Sequence, residues 1–232
     1  MVTFALLHGA YHAGWHFTLL TRELESRGHC TSMPDLPCED AAAGSERYVE
    51  VVAQALEPIE DDIVVVGHSL AGLFLPLLPA RNPRIRRLIY LAALLPEPGA
   101  SFDEQAQRDP AVFSHYRARA EAVGHPDGSA SCSEARALEV FYHDCPLELG
   151  IKAAAHLRRQ HWRHTQETTP VTRWPDVRAD YVLCRADRAV NPDWSRRVAR
   201  QRLGIEPLEM DGGHSPFLAR PTELAELLVS GR

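Results

Sequence analysis

Residues 62–72 read Asp-Ile-Val-Val-Val-Gly-His-Ser-Leu-Ala-Gly. The run 63–66 is continuously apolar and β-branched, the pattern of a strand buried on both faces. It stops at Gly67, and residues 70–80 are apolar enough for a buried helix. Between the two sits one serine, Ser69, among small residues. A turn this tight strains the serine backbone, lifts its Oγ clear of the sheet and sets it at a helix N-terminus. The fifth position of the usual Gly-x-Ser-x-Gly pattern is Ala71 here, with Gly72 one place later.

Working outward, short β-type runs alternate with helical stretches. The run 2–7 ends in His8-Gly9, and 15–27 suits a helix stopped by Gly28. A short strand is expected at 30–33, and a helix capped by Ser45 should run to about residue 57. Further strands are expected at 87–94, 181–184 and 207–210. Residues 219–229 close the chain as an amphipathic helix that tolerates Pro221 in its first turn. This alternation predicts a mainly parallel sheet covered by helices. The stretch between the strands at 87–94 and 181–184 has no strand pattern. It opens at Pro96-Glu97-Pro98-Gly99, closes near Thr168-Thr169-Pro170, and looks helical over 103–123, 134–142 and 147–163. That is too long for a plain loop. Residues 97–170 are therefore expected to form a helical cap on a core made of 1–96 and 171–232.

A serine alcohol needs a general base to attack at neutral pH. His214, in Asp211-Gly212-Gly213-His214-Ser215-Pro216, follows the last expected strand, and its two glycines let the loop bend back to the sheet. An acid must orient that imidazole. Asp187 follows the strand 181–184 and completes the order Ser, Asp, His. Glu97 is the alternative acid; Asp193 and Asp211 are less well placed. His8 suits the shaping of a loop beside Gly9, His68 should point away from its serine neighbour, and His12 and His16 could line the entrance. At the end of the first strand, backbone N–H groups can turn toward Ser69, which makes the amides of Ala10 and Leu70 the candidate oxyanion donors.

The chain has 232 residues with a formal charge of −6 and 45% hydrophobic residues, enough for one domain with a full core. The negative charge argues against nucleic acid or an acidic membrane surface as partner, and no apolar run is long enough to span a bilayer. The N-terminus lacks the marks of a signal peptide. Five cysteines, at 30, 38, 132, 145 and 184, form no C-x-x-C pair, so free thiols in a reducing cytoplasm are expected. Lys152 is the only lysine. No histidine–carboxylate pair has zinc-ligand spacing, and no metal or organic cofactor is expected.

Taken together, Leu7-His8-Gly9-Ala10-Tyr11-His12-Ala13-Gly14-Trp15, Gly67-His68-Ser69-Leu70-Ala71-Gly72, Arg185-Ala186-Asp187-Arg188 and Gly213-His214-Ser215-Pro216 resemble the α/β-hydrolase superfamily. Within it the chain looks like the branch of plant hydroxynitrile lyases, plant salicylate and jasmonate methylesterases, and bacterial pyrethroid-hydrolase-type esterases. The resemblance implies a three-layer α/β fold whose sheet of about six strands lacks the two opening strands of larger members. It places nucleophile, acid and base on Ser69, Asp187 and His214, and the oxyanion amides on Ala10 and Leu70. The lyases carry a lysine directly after the histidine; here that position is Ser215. Gly213-His214-Ser215-Pro216-Phe217 and Phe141-Tyr142-His143-Asp144-Cys145-Pro146 resemble the bacterial esterases instead.

These readings point to an esterase that forms an acyl-enzyme on small to medium apolar carboxylic esters. Tyr11, His12, Phe113, Tyr142 and Trp162 are the expected pocket residues, with Phe102, Tyr116 and Phe141 as further aromatic candidates. A small-molecule ester is the expected partner, and a homodimer is left open. Two alternatives stand beside this: a lyase or a cyclisation or acyl-transfer catalyst on the same fold, and a small-molecule receptor.

Overall fold

The computed structural model describes residues 1–114 and 122–230. In chain order its elements are β1 (Thr3–Leu7), α1 (Thr18–Ser26), β2 (Cys30–Ser32), α2 (Ser45–Leu56), β3 (Ile63–His68) and β4 (Ile85–Leu91). The stretch that follows holds α3 (Phe102–Arg108), β5 (Val123–Gly124), β6 (Ala130–Ser131), α4 (Glu134–Val140), α5 (Leu147–Ala155) and α6 (Arg163–Gln166). The chain then returns to the sheet with β7 (Arg178–Cys184), α7 (Pro192–Val198), β8 (Leu208–Met210), α8 (Pro216–Ala219) and α9 (Pro221–Ser230).

The six-stranded sheet has the order β2-β1-β3-β4-β7-β8. Every pairing in it is parallel. Because strand side chains alternate between faces, each strand feeds two cores. Ala5, Leu7, Val65, Leu88 and Tyr90 pack with α2 and α7 on one side. Phe4, Leu6, Val64, Val66, Ile89 and Leu91 pack with α1 and α9 on the other. Burial on both faces is why these strands read as unbroken apolar runs.

β1 and β3 are neighbours whose onward connections lie on opposite faces, α1 beyond β1 and the turns 69–80 beyond β3. In an open parallel sheet this reversal leaves a crevice at the carboxyl ends of the two strands, the usual place for a ligand. His8-Gly9-Ala10 and His68-Ser69-Leu70 are the residues that emerge there.

Several local expectations are corrected. Residues 70–80 are not one α-helix but two 3-10 stretches, Ser69–Leu73 and Leu75–Ala80. Pro76 and Pro79 lack the N–H groups that a continuous helix would use. Ser69 therefore opens a short tight turn and does not sit at the end of a long helix dipole. Gly44, not Ser45, precedes α2, and the Glu167 carboxylate accepts from the Ser45 N–H at 2.6 Å. The expected helix 103–123 ends at Arg108, where Pro110 starts a short 3-10 turn, Pro110–Val112. Its middle, with Tyr116, lies outside the described residues. The stretch 97–170, expected without strands, contains the antiparallel pair β5–β6.

One buried ion pair ties the layers together. Arg87 on β4 pairs with Asp180 on the neighbouring β7, their side chains only 10% and 13% exposed, and its Nη1 donates to the Leu228 carbonyl of α9 at 2.7 Å. Truncating Arg87 leaves Asp180 with only the half-exposed Arg178, 3.3 Å away, and strips the Leu228 carbonyl of its donor. Arg87→Ala is expected to cost about 3–5 kcal/mol, a fall in Tm of roughly 6–20 °C for a chain of this size. Thermal unfolding followed by circular dichroism tests this, and an unchanged Tm would refute the role given to the pair.

Candidate active site

Ser69 leaves β3 with φ of 53°, in the left-handed region that side chains other than glycine rarely adopt. Packing explains how it stays there. The Ser69 carbonyl accepts from the Leu94 N–H at 2.9 Å. A Cβ on Gly9 would lie 2.7 Å from the Ser69 Cβ, and one on Gly72 would lie 2.1 Å from the Leu94 carbonyl oxygen. The glycines are thus required by close approach of β1 and of the chain after β4. Ala71, fully enclosed, fits the same turn.

His214 and Asp187 reach the site from the loops after β8 and β7. His214 Nδ1 donates to Asp187 Oδ2 at 2.8 Å, and the two side chains are 1% and 3% exposed. The other carboxylate oxygen, Oδ1, accepts from the N–H groups of Ala189 at 2.7 Å and Val190 at 3.0 Å. The acid is therefore fully engaged, and with the proton on Nδ1 the His214 Nε2 carries a lone pair. The rival acids are elsewhere: Glu97 pairs with Arg108 and Arg202, Asp193 with Arg196 and Asp211 with Arg185. Ser69 and His214 share no hydrogen bond among the described residues, but both line one cavity.

Ala10, Leu70, Tyr11 and His12 line that cavity too, and its walls are Leu94, Phe102, Phe113, Phe141, Trp162, Ala189 and Val190. The amides of Ala10 and Leu70 have no acceptor among the described residues. Of the expected pocket residues, Tyr11, His12, Phe113 and Trp162 are in the lining and Tyr142 is not. Tyr142 lies behind His12, its hydroxyl 3.0 Å from His12 Nε2, while its neighbour Phe141 turns to the cavity. Consecutive residues past the end of α4 point in different directions, which no spacing in the sequence revealed. Thr165, Ala189 and Val190 also went unforeseen, since nothing local marks them.

A second carboxylate supports the histidine loop. Asp144 Oδ2 accepts from the Gly213 N–H at 2.7 Å, and His143 Nε2 donates to the Ala186 carbonyl at 3.1 Å. The stretch after α4 thus braces both loops that carry Asp187 and His214.

Histidines surround the site. His68 Nε2 donates to the His214 carbonyl at 2.9 Å, so its ring does point away from its serine neighbour, and its centroid lies 4.6 Å from that of His214. Burial pushes His8 and His16 down to about 4. Burial, then the neighbouring imidazoles, holds His12 and His68 well below the ordinary histidine value. His8, His12 and His16 are neutral connectors, each using one ring nitrogen as donor and the other as acceptor, whereas His68 Nδ1 is buried without a hydrogen-bond partner among the described residues. Among the described residues, no group of three or more His, Cys, Asp or Glu is arranged to hold a metal ion, and no helix is long and apolar enough to cross a membrane.

A parallel sheet that delivers a strained serine, a carboxylate-bound histidine and two unspent amides to one cavity defines a hydrolase-type α/β protein. The chain belongs to the α/β-hydrolase family, whose model matches residues 4–227. It is 25% identical over 249 residues to an alpha-hydroxynitrile lyase of Arabidopsis thaliana, covering 97% of this chain and 95% of that protein. It is 25% identical over 246 residues to a pyrethroid hydrolase of Sphingobium wenxiniae, covering 97% and 85%. The structure of an extracellular α/β-hydrolase from a Paenibacillus species superposes with a TM-score of 0.80 at 17% identity, over 100% of this chain and 99% of that one.

The buried histidines carry a pH signature. The unfolded chain takes up protons near the ordinary value of 6.5, whereas folded His8 and His16 refuse them until about pH 4. Stability is therefore complete above pH 6.5 and falls as the pH drops through this window, by up to about 1.4 kcal/mol per pH unit for each such histidine. Urea unfolding at a series of pH values should show this decline, and a flat profile between pH 6.5 and 4 would contradict it.

Proposed function

We propose that this chain is a serine carboxylesterase acting on small to medium apolar esters through an acyl-enzyme. The observation that carries the reading is the meeting, in one apolar cavity, of the strained Ser69 and the Asp187-bound His214. In this mechanism Ser69 Oγ attacks the ester carbonyl carbon while His214 Nε2 takes its proton. Asp187 holds the Nδ1–H tautomer and stabilises the imidazolium. The Ala10 and Leu70 amides bind the oxyanion, typically worth about 3–4 kcal/mol for one good donor. Collapse of the tetrahedral intermediate expels the alkoxide, which takes the proton from His214. Water then repeats the sequence on the acyl-enzyme and releases the acid.

The walls argue for substrates without charge near the scissile bond, because Phe102, Phe113, Phe141 and Trp162 offer no counter-ion. Residues 97–170 supply all four aromatics and so act as the cap that selects the ester. Among the described residues, no lysine or arginine lines the cavity to serve the lyase reading. Ser215, fully buried, follows His214, and Lys152 lies on α5 with its ammonium 5.4 Å from the centre of the Trp15 ring. The five unpaired cysteines support a reducing, cytoplasmic setting.

Hydrolysis of short and medium nitrophenyl esters tests the reading. Ser69→Ala is expected to lower kcat/KM at least about a thousandfold, and Asp187→Asn to reduce kcat by up to about ten-thousandfold by permitting the wrong tautomer. Activity should be greatest at neutral to mildly alkaline pH, because a histidine acts as general base only when unprotonated. A wild type that hydrolyses no ester, or a Ser69→Ala variant that matches it, rules the reading out.

A further inference from the structure

Two consecutive peptide groups flank the Cα of Ala10, and each is held by a neutral histidine. His8 Nε2 accepts from the Leu36 N–H at 2.9 Å, so its single proton is on Nδ1, which donates to the Gly9 carbonyl at 2.9 Å. The Gly9–Ala10 peptide, which carries the Ala10 N–H, is thereby fixed from the core. The next peptide is gripped at both ends. His12 Nδ1 lies 2.7 Å from the Ala10 carbonyl oxygen, which can only accept, so the proton is on Nδ1. His12 Nε2 must then accept, and the Tyr142 hydroxyl, 3.0 Å away, must donate. The N–H of the same peptide, that of Tyr11, donates to Gln160 Oε1 at 3.3 Å. The Tyr11 carbonyl accepts from the Arg158 N–H at 2.6 Å. Tyr11 has φ of 66°, an uncommon value for a tyrosine that needs such outside support.

We propose that Tyr142 and Gln160 are positioning residues for the oxyanion donor, acting through His12 and Tyr11 on the Ala10–Tyr11 peptide, so that residues 97–170 set the donor geometry as well as the pocket walls. The proposal rests on the esterase reading above. Neither residue touches the cavity. Tyr142 is anchored where α4 ends, and Gln160 Nε2 donates to the Tyr48 hydroxyl at 3.1 Å and the His161 carbonyl at 2.6 Å. Both are therefore rigid supports. Without the Tyr142 hydroxyl, His12 Nε2 is left with no donor and the ring loses the anchor that presses Nδ1 against the Ala10 carbonyl. That loosening lets the peptide turn, and with it the chain at Ala10. Substrate that packs against the cap aromatics acts on the segment that also holds the donor.

The test compares wild type, Tyr142→Phe and Gln160→Leu on para-nitrophenyl butyrate, with inhibition by an apolar trifluoromethyl ketone and heteronuclear NMR of the imidazole nitrogens. Misplacing a donor should cost less than deleting one, so kcat is expected to fall roughly tenfold to a hundredfold in each variant. KM should stay within about a factor of two, as expected for loss of an interaction made only in the transition state. Affinity for the ketone, whose adduct carries an oxyanion, should fall in step with kcat. Wild-type His12 should show the Nδ1–H tautomer. Retention of kcat, or a raised KM with kcat intact, overturns the proposal while leaving the esterase reading in place. So does an Nε2–H tautomer in the wild type, which decides the matter even if a variant fails to fold. A wild type inert toward esters overturns the esterase reading and this proposal with it.

Discussion

The structure depends on the backbone at Ser69. A left-handed φ on a serine costs about 1–3 kcal/mol and persists only where packing over-determines it. Here the over-determination comes from three sides. The Leu94 N–H takes the Ser69 carbonyl, Gly9 comes so close that it admits no side chain, and Gly72 lets the turn press on the Leu94 carbonyl. These contacts need β1, β3 and the chain after β4 to be adjacent and in register, which the parallel pairing Leu7↔Gly67 and His68↔Leu91 provides. The same adjacency brings the amides of Ala10 and Leu70 to the cavity that Ser69 faces. Sheet order, strain and candidate chemistry are therefore one arrangement.

Around this point the molecule uses uncharged histidines where another protein might use amides. A neutral imidazole has one donor and one acceptor on opposite sides of a rigid ring, so a buried one orients whatever it bonds. His8 and His12 each hold a peptide carbonyl this way, and His68 holds the carbonyl of His214. Burial keeps them neutral because a charged imidazole in this apolar setting would be costly. A polar scaffold can thus lie beside an apolar pocket without bringing charge to it.

The α/β-hydrolase family was legible because its marks are local. Residues 62–72 show strand, turn and candidate nucleophile in one run, since burial on both faces demands unbroken apolar residues and the strained turn demands small ones. Asp187 and His214 each follow a recognisable strand. Helix continuity was harder to read: the apolar run 70–80 hides Pro76 and Pro79, and Pro110 ends a helix expected to continue. There the backbone donors that proline removes outweigh apolar pattern.

The amino-acid sequence alone determined the main strands and the order of the candidate site residues, because each mark lies within a few positions. Only the tertiary structure decided which of Phe141 and Tyr142 faces the pocket, that Asp144 braces the loop before His214, and that Gln160 supports Tyr11. Tyr142 and His12 are 130 positions apart, and Tyr11 and Gln160 are 149 apart. Such contacts follow from how distant segments dock, a sum over the whole packed interior that no local pattern encodes.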